Sequence, residues 1–224
     1  MISVSVFARH SSIWRQIAPT MEPVIRVLNS RQESLGTPVG SLGDSQRNAL
    51  IAETAFLVAG SEFAGRLYRQ TELEAKAREF LLALPRGVAA EPALTSEEWL
   101  EVGLLAQVSQ RYTSGLSAPV FSPRIPGCGV VDAAIADILA EQEIIEVKTV
   151  TRPFRSYDLR QALTYSAMLY AADKPVEKIT LLNPRRARSV SISIAEVAAG
   201  TRGDSSTELM QDLVEWMVGL QVSA

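Results

Sequence analysis

One cysteine and one histidine in 224 residues narrow the available chemistry before any motif is sought. Cys128 has no second cysteine for an internal disulfide, which suits a reducing compartment. It lies in a Pro- and Gly-rich connection with no histidine nearby in sequence, so a catalytic thiol is not expected. His10 has no partner pattern around it, which argues against a zinc site and against a His-dependent triad. There is no Gly-rich loop followed by Lys-Ser/Thr, hence no P-loop and no sign of ATP hydrolysis. Long apolar runs are missing too: the longest, Ala167–Ala172, falls far short of a bilayer. Met1–Arg9 has neither the basic start nor the apolar stretch of a secretory signal. The expectation is a soluble, cytoplasmic protein with no membrane association.

Apolar residues make up 47% of the chain, ample for the core of one α/β domain or of a small helical domain packed on a larger one. No internal repeat and no low-complexity tract interrupts it. The net charge of −3 is unevenly spread. Between Lys148 and Arg188 nine Lys and Arg face three acids, a net of +6, which leaves −9 for the remainder. A basic stretch of this kind matches what a phosphate backbone requires. Arg185, Arg186 and Arg188, clustered between two strands, are the candidates for backbone contacts; Lys174 and Lys178 read as solvated loop positions.

In chain order, Ser3–Phe7 reads as a short edge strand or an unstructured start. Ser11–Asn29 is helical, interrupted or kinked at Pro19 and Pro23. Glu33–Gly43 has loop composition. A helix capped by Asp44 or Ser45 runs through Asn48–Ala59, apolar on nearly all sides and therefore buried, with Glu53 as its one anomaly. Ser61–Leu84 reads as an amphipathic helix with a charged face, and Pro85–Pro92 breaks the chain. Thr95-Ser-Glu-Glu98 is a capping box. It opens a helix with Leu100, Leu104, Leu105 and Val108 inward, and Glu97, Glu98 and Glu101 are structural. The Pro-rich connection Thr113–Gly129 leads to two short strands, Asp132–Ala140 and Glu143–Val150. A helix over Ser156–Ala172, strands at Lys178–Leu182 and Ser189–Ile194, and a closing helix over Ser205–Leu220 complete the chain. The division is a mostly helical region 1–115 packing on a core 116–224, or one continuous domain.

The informative part is the pair of strands. If they form a hairpin with its loop centred between Glu141 and Gln142, Asp137 lies opposite Glu146 and Ile135 opposite Lys148. Side chains alternate along a strand, so Glu146 and Lys148 share a face, and Asp137 joins them. Asp132, an odd number of residues from Asp137, faces the other way unless a bulge intervenes. Two adjacent carboxylates repel each other unless a cation lies between them. A hard divalent ion removes that penalty, and Mg²⁺ is the simplest. A nearby lysine then neutralises charge on a phosphate, which outlines phosphodiester hydrolysis.

Asp137 followed by Glu146-Val147-Lys148, with Gln161-x-x-x-Tyr165 on the next helix, resembles the PD-(D/E)XK, or restriction-endonuclease-like, nuclease superfamily. Asp158, Gln161 and Tyr165 share one helical face. The likeness covers Pro119 to about Ile194, and it departs from the pattern in having Ala136 before Asp137 rather than Pro. It implies an α/β fold with a mixed central sheet flanked by helices. It implies that Asp137 and Glu146 bind Mg²⁺ (or Mn²⁺), with the Val147 carbonyl as an available third ligand. Lys148 would position or activate the attacking water and stabilise charge, Gln161 would support the site or contact the backbone, and Tyr165 would pack behind it. The implied substrate is DNA, with RNA not excluded, in a prokaryotic setting such as defence, repair or mobile-element processing. Several members add an acid from the first core helix; Glu53 is the candidate here, with a rim carboxylate as the alternative, and it stays outside the ligand set. The competing reading is a member that keeps the fold without the reaction and serves as a nucleic-acid-binding or assembly subunit, as an oligomer or with a partner protein.

Overall fold

The computed structural model describes residues 1–83 and 92–220. Three short helices open the chain, α1 (Val4–Arg9), α2 (Ser11–Ile17) and α3 (Met21–Ser30), followed by strand β1 (Glu33–Ser34). Three longer helices come next: α4 (Asn48–Phe63), α5 (Gln70–Leu82) and α6 (Ser96–Thr113). Then come β2 (Val120–Phe121), β3 (Arg124–Ile125), β4 (Ala134–Ile135), β5 (Ile138–Ala140) and β6 (Glu143–Val147). Helix α7 (Ser156–Ala171) leads to β7 (Lys178–Asn183) and β8 (Arg188–Ser193), and α8 (Ile194–Thr201) and α9 (Ser206–Gly219) end the chain. The class is mixed α/β. Among the described residues no helix is long and apolar enough to cross a membrane.

Six strands form one mixed sheet in the order β1-β8-β7-β6-β5-β2, and β3 and β4 form a separate ribbon. Within this sheet β6 and β7 pair in parallel, joined through α7. That crossover places α7 against one sheet face. The period-2 alternation of β6 divides its side chains between two cores. Ile144 belongs to a core that includes Leu159, Ala162 and Leu163 of α7 and buried residues of α1, α2, α3, α8 and α9. Ile145 faces the other way, with Leu182, Phe56 and Tyr112 on the side of α4 and α6. Residues 1–115 therefore contribute to both helical layers, and β1 extends the sheet at β8. On the α6 side the buried Glu143 is satisfied by Tyr112 Oη at 2.6 Å and Lys178 Nζ at 2.8 Å, which makes it part of the frame.

Several elements differ from the sequence reading. Ser3–Phe7 is no strand: Ser3 caps α1 by accepting from the Val6 amide, and Val4, Phe7 and Ala8 are buried at helical spacing. Glu33–Gly43 contains the edge strand β1. Helix Ser61–Leu84 is not continuous. Helix α4 continues to Phe63, Gly65 adopts φ +61 and ends it, and α5 starts at Gln70. Leu84 and most of the expected break at Pro85–Pro92 lie outside the described residues. On α6, Leu100 and Leu104 are exposed at 59% and 38%, while Glu98 and Glu101 point inward. The reversal arises because each acid meets an arginine from a distant segment, Arg47 and Arg185 respectively. Strand Asp132–Ala140 is split between two sheets, with the break at Ala136 and Asp137. Helix α8 is unanticipated, although Ser193-Ile-Ala-Glu196 is a capping box with both reciprocal bonds formed.

The expected box at Thr95 is formed too, Thr95 accepting from the Glu98 amide and Glu98 from the Thr95 amide. Thr95→Ala is expected to cost about 1 kcal/mol, read as a lower urea midpoint at unchanged slope. An unchanged midpoint would mean that tertiary contacts alone hold the start of α6.

Candidate active site

The β5–β6 hairpin pairs Ile138 with Ile145, Leu139 with Ile144 and Ala140 with Glu143. Extended by one residue, this register sets Asp137 opposite Glu146. Asp137 stands where the chain leaves the ribbon and enters the main sheet. Its carbonyl accepts from the Ser122 amide at 2.8 Å, and the Ala136 amide donates to the Pro123 carbonyl at 3.1 Å. These bonds to the preceding loop fix the turn. The Asp137 carboxylate then accepts from the Val147 amide at 2.6 Å, across to the last residue of β6.

Glu146 is 1% exposed. Its Oε1 accepts from Lys148 Nζ at 2.5 Å, and its Oε2 is buried with no hydrogen-bond partner. Lys148 Nζ also donates to Gln161 Oε1 at 3.2 Å, so α7 positions the amine. One turn further along α7, Tyr165 Oη donates to the Ile135 carbonyl at 3.2 Å and ties the helix to β4. Asp158, on the same helical face, is held by Arg152 through both carboxylate oxygens at 2.7 and 2.9 Å and belongs to the support of the loop before α7. The structure thus brings Asp137, Glu146, Lys148, Gln161 and Tyr165 to one place, at the end of β6 where the chain crosses to α7.

The electrostatics of the cluster follow from burial. Burial raises the Glu146 carboxyl to about 8; Lys148 opposes this and the charge of Asp137 adds to it. Burial also raises Asp137, against the pull of Lys148 and the Val147 amide. For Lys148 burial alone favours the neutral amine, but Glu146 and Asp137 outweigh it and hold the ammonium charged well above its ordinary range. Glu53 reaches the same field from α4: burial, then the Asp137 charge, pushes its carboxyl up to about 7.

A cleft of about 500 Å³ opens beside these groups. Asp137 and Val147 form part of its wall, with Glu53 and Phe56 from α4 and Lys76 and Phe80 from α5. Glu146 and Lys148 are not part of that wall. The donors fit a hard divalent cation in kind, being two carboxylates, one of them with an unpartnered buried oxygen. Among the described residues no group of three or more His, Cys, Asp or Glu forms a metal cage.

The three loop arginines do not share one fate. Arg185 is 5% exposed, in an ion pair with Glu101 at 2.5 Å and hydrogen-bonded to the Gly40 carbonyl and Asn48 Oδ1, both at 3.2 Å. This corrects the expectation of a nucleic-acid contact: Arg185 is an internal strut from the β7–β8 turn to α6 and α4. Arg186 and Arg188 are half-buried, the latter at the start of β8 opposite Ser34. Of the nine cations between Lys148 and Arg188, four are committed to carboxylates, Lys148, Arg152, Lys178 and Arg185. The sequence places Lys76 among the charges of a solvated helix face and does not single out Phe80, because on an amphipathic helix both resemble any other exposed position.

Comparison with known proteins finds no matching family model, no similar curated protein and no similar solved structure.

Proposed function

We propose that this chain is a metal-dependent nuclease of the PD-(D/E)XK type that hydrolyses phosphodiester bonds in DNA, on a restriction-endonuclease-like core. The observation that carries the reading is the buried meeting of Asp137, Glu146 and Lys148, with the Glu146 Oε2 left without a partner. Most buried acids have their oxygens satisfied, so one left with neither a hydrogen bond nor an ion-pair partner at that depth calls for a cause such as a bound cation. Asp137 and Glu146 would hold Mg²⁺ or Mn²⁺, with the Val147 carbonyl within the same segment. Bound there, the ion would lower the pKa of water and offset charge on the phosphate. Lys148, kept as an ammonium by its acidic neighbours, would orient the nucleophile and stabilise negative charge as it develops on the phosphoryl oxygens. Gln161 holds the amine in place, and Tyr165 fixes the backbone just before Asp137.

A second reading, a binding or assembly subunit on the same fold, draws on the internal pairing of Lys148, Arg152, Lys178 and Arg185, which thins the basic surface. Thermal melts across pH with Mg²⁺ or Mn²⁺ separate the two. The folded values of Glu146 and Glu53, about 8 and about 7, lie above the ordinary 4.5, so the folded state binds more protons than the unfolded state between these limits. Stability from these groups is therefore greatest near and below pH 4.5 and declines as pH rises toward 8. A cation that occupies the site reverses this decline. The expected result is a metal-induced rise in Tm that is small at pH 5, grows toward pH 8 and is lost in Glu146→Gln. A Tm indifferent to metal at pH 8 supports the subunit reading instead.

A further inference from the structure

The wall of the cleft contains more apolar surface than the proposed chemistry needs. Phe80 is 46% exposed and Ile135 59% exposed, and both line the opening. Among the described residues Phe80 stands exposed on α5, outside the buried apolar clusters. Phe56 lies deeper, and its ring is held by Phe121 at 5.5 Å between centroids. Lys76 precedes Phe80 by one helical turn on α5, so the two side chains project on one side, and both line the cleft. Lys76 is exposed and forms no ion pair among the described residues.

We infer that this cleft receives an unpaired nucleotide of single-stranded DNA, with a base stacked on Phe80 and the adjoining phosphate at Lys76. The inference rests on the nuclease reading for the direction of the strand toward Asp137, and it adds the substrate class. A volume of about 500 Å³ accommodates one base with its sugar and phosphate. Aromatic faces beside a cation are how single strands are gripped without sequence preference, since every base has a face to stack. A duplex hides those faces and is held through its two phosphate backbones, which calls for cations spread along a surface. Here the segment richest in cations has four of its nine committed to carboxylates inside the fold. The cleft offers Lys76 as its cation, beside Phe80 and Ile135.

The test is fluorescence anisotropy of the full chain in EDTA, so that no bond is broken. The probe is a labelled oligothymidylate of about 20 nucleotides, free or annealed to its complement. The single strand is expected to bind about tenfold or more tightly than the duplex. Phe80→Ala should weaken single-strand binding by about 5- to 100-fold, with Phe80→Trp restoring it. Lys76→Ala should weaken it and lower the salt slope by about one phosphate. Equal or tighter duplex binding overturns the inference, as does a Phe80→Ala variant that binds the single strand like wild type. Both positions are exposed, and a coincident melting curve confirms that each variant is folded. A parallel Mg²⁺ cleavage assay separates the two readings. If wild type cleaves DNA while Phe80→Ala binds and cleaves unchanged, the stacking site falls and the nuclease stands. If Phe80→Ala loses the single strand while wild type cleaves nothing, the site stands and the nuclease falls.

Discussion

Lys148→Ala is expected to lower Mg²⁺-dependent DNA cleavage by about 10²- to 10³-fold, the scale seen when one preorganised donor is removed from a developing anion. Asp137→Ala should be equally inactive, and a second measurement tells the two apart. Lys148→Ala retains both carboxylates, so the rise in Tm on adding Mg²⁺ at pH 8 should persist. Asp137→Ala removes a ligand, so that rise should shrink or vanish. Both variants should fold. Asp137 stands at a break between strands, and Glu146, already raised to about 8 by burial, can take up a proton when its lysine partner is removed. Full activity in either variant refutes the roles assigned here, and a metal response unchanged in Asp137→Ala removes that residue from the ligand set.

Arg185→Ala should have the largest effect on stability. Its partner Glu101 is fully buried, and the pair joins the β7–β8 turn to α6 at 2.5 Å. Truncating the arginine leaves a carboxylate in the core without its cation, at a cost of about 3–5 kcal/mol. In a domain of this size that corresponds to a fall in Tm of roughly 10 °C. Glu101→Gln in the same background should recover part of the loss, because the orphaned charge is gone. The alternative outcome is informative: an Arg185→Ala variant that melts like wild type but binds DNA more weakly would return the guanidinium to the surface as a phosphate contact.

Local physics made part of this molecule readable without coordinates. The pairing of Ile138 with Ile145 follows from two apolar runs around a polar loop, since a one-residue slip would exchange the side chains that enter the two cores. The box at Thr95 needs only residues three apart. The same is true at Ser193, where the signal was present and helix α8 was still missed. The alignment of Gln161 with Lys148 required one further step, the crossover that sets α7 over β6. What failed to read were features that depend on distant partners. Leu100 and Leu104 look like core on an apolar count, yet buried Glu98 and Glu101 take the inward face because Arg47 and Arg185 arrive from elsewhere in the chain.

The sequence alone determined the hairpin from Ile138 to Ile145, its register there and the three ionisable residues at its end, because each is set by neighbours within a few positions and by the period of a strand. The expected pairing of Ile135 with Lys148 does not form, since Ile135 pairs with Arg124 in the separate ribbon. Tertiary structure decided the remainder. It broke the first strand at Asp137, brought Glu53 into the field of that acid, withdrew Arg185 into the interior and placed Lys76 and Phe80 beside the cleft. Whether a charge faces water, an opposite charge or another acid is a property of the packed chain, and burial changes its energy by more than any local preference does.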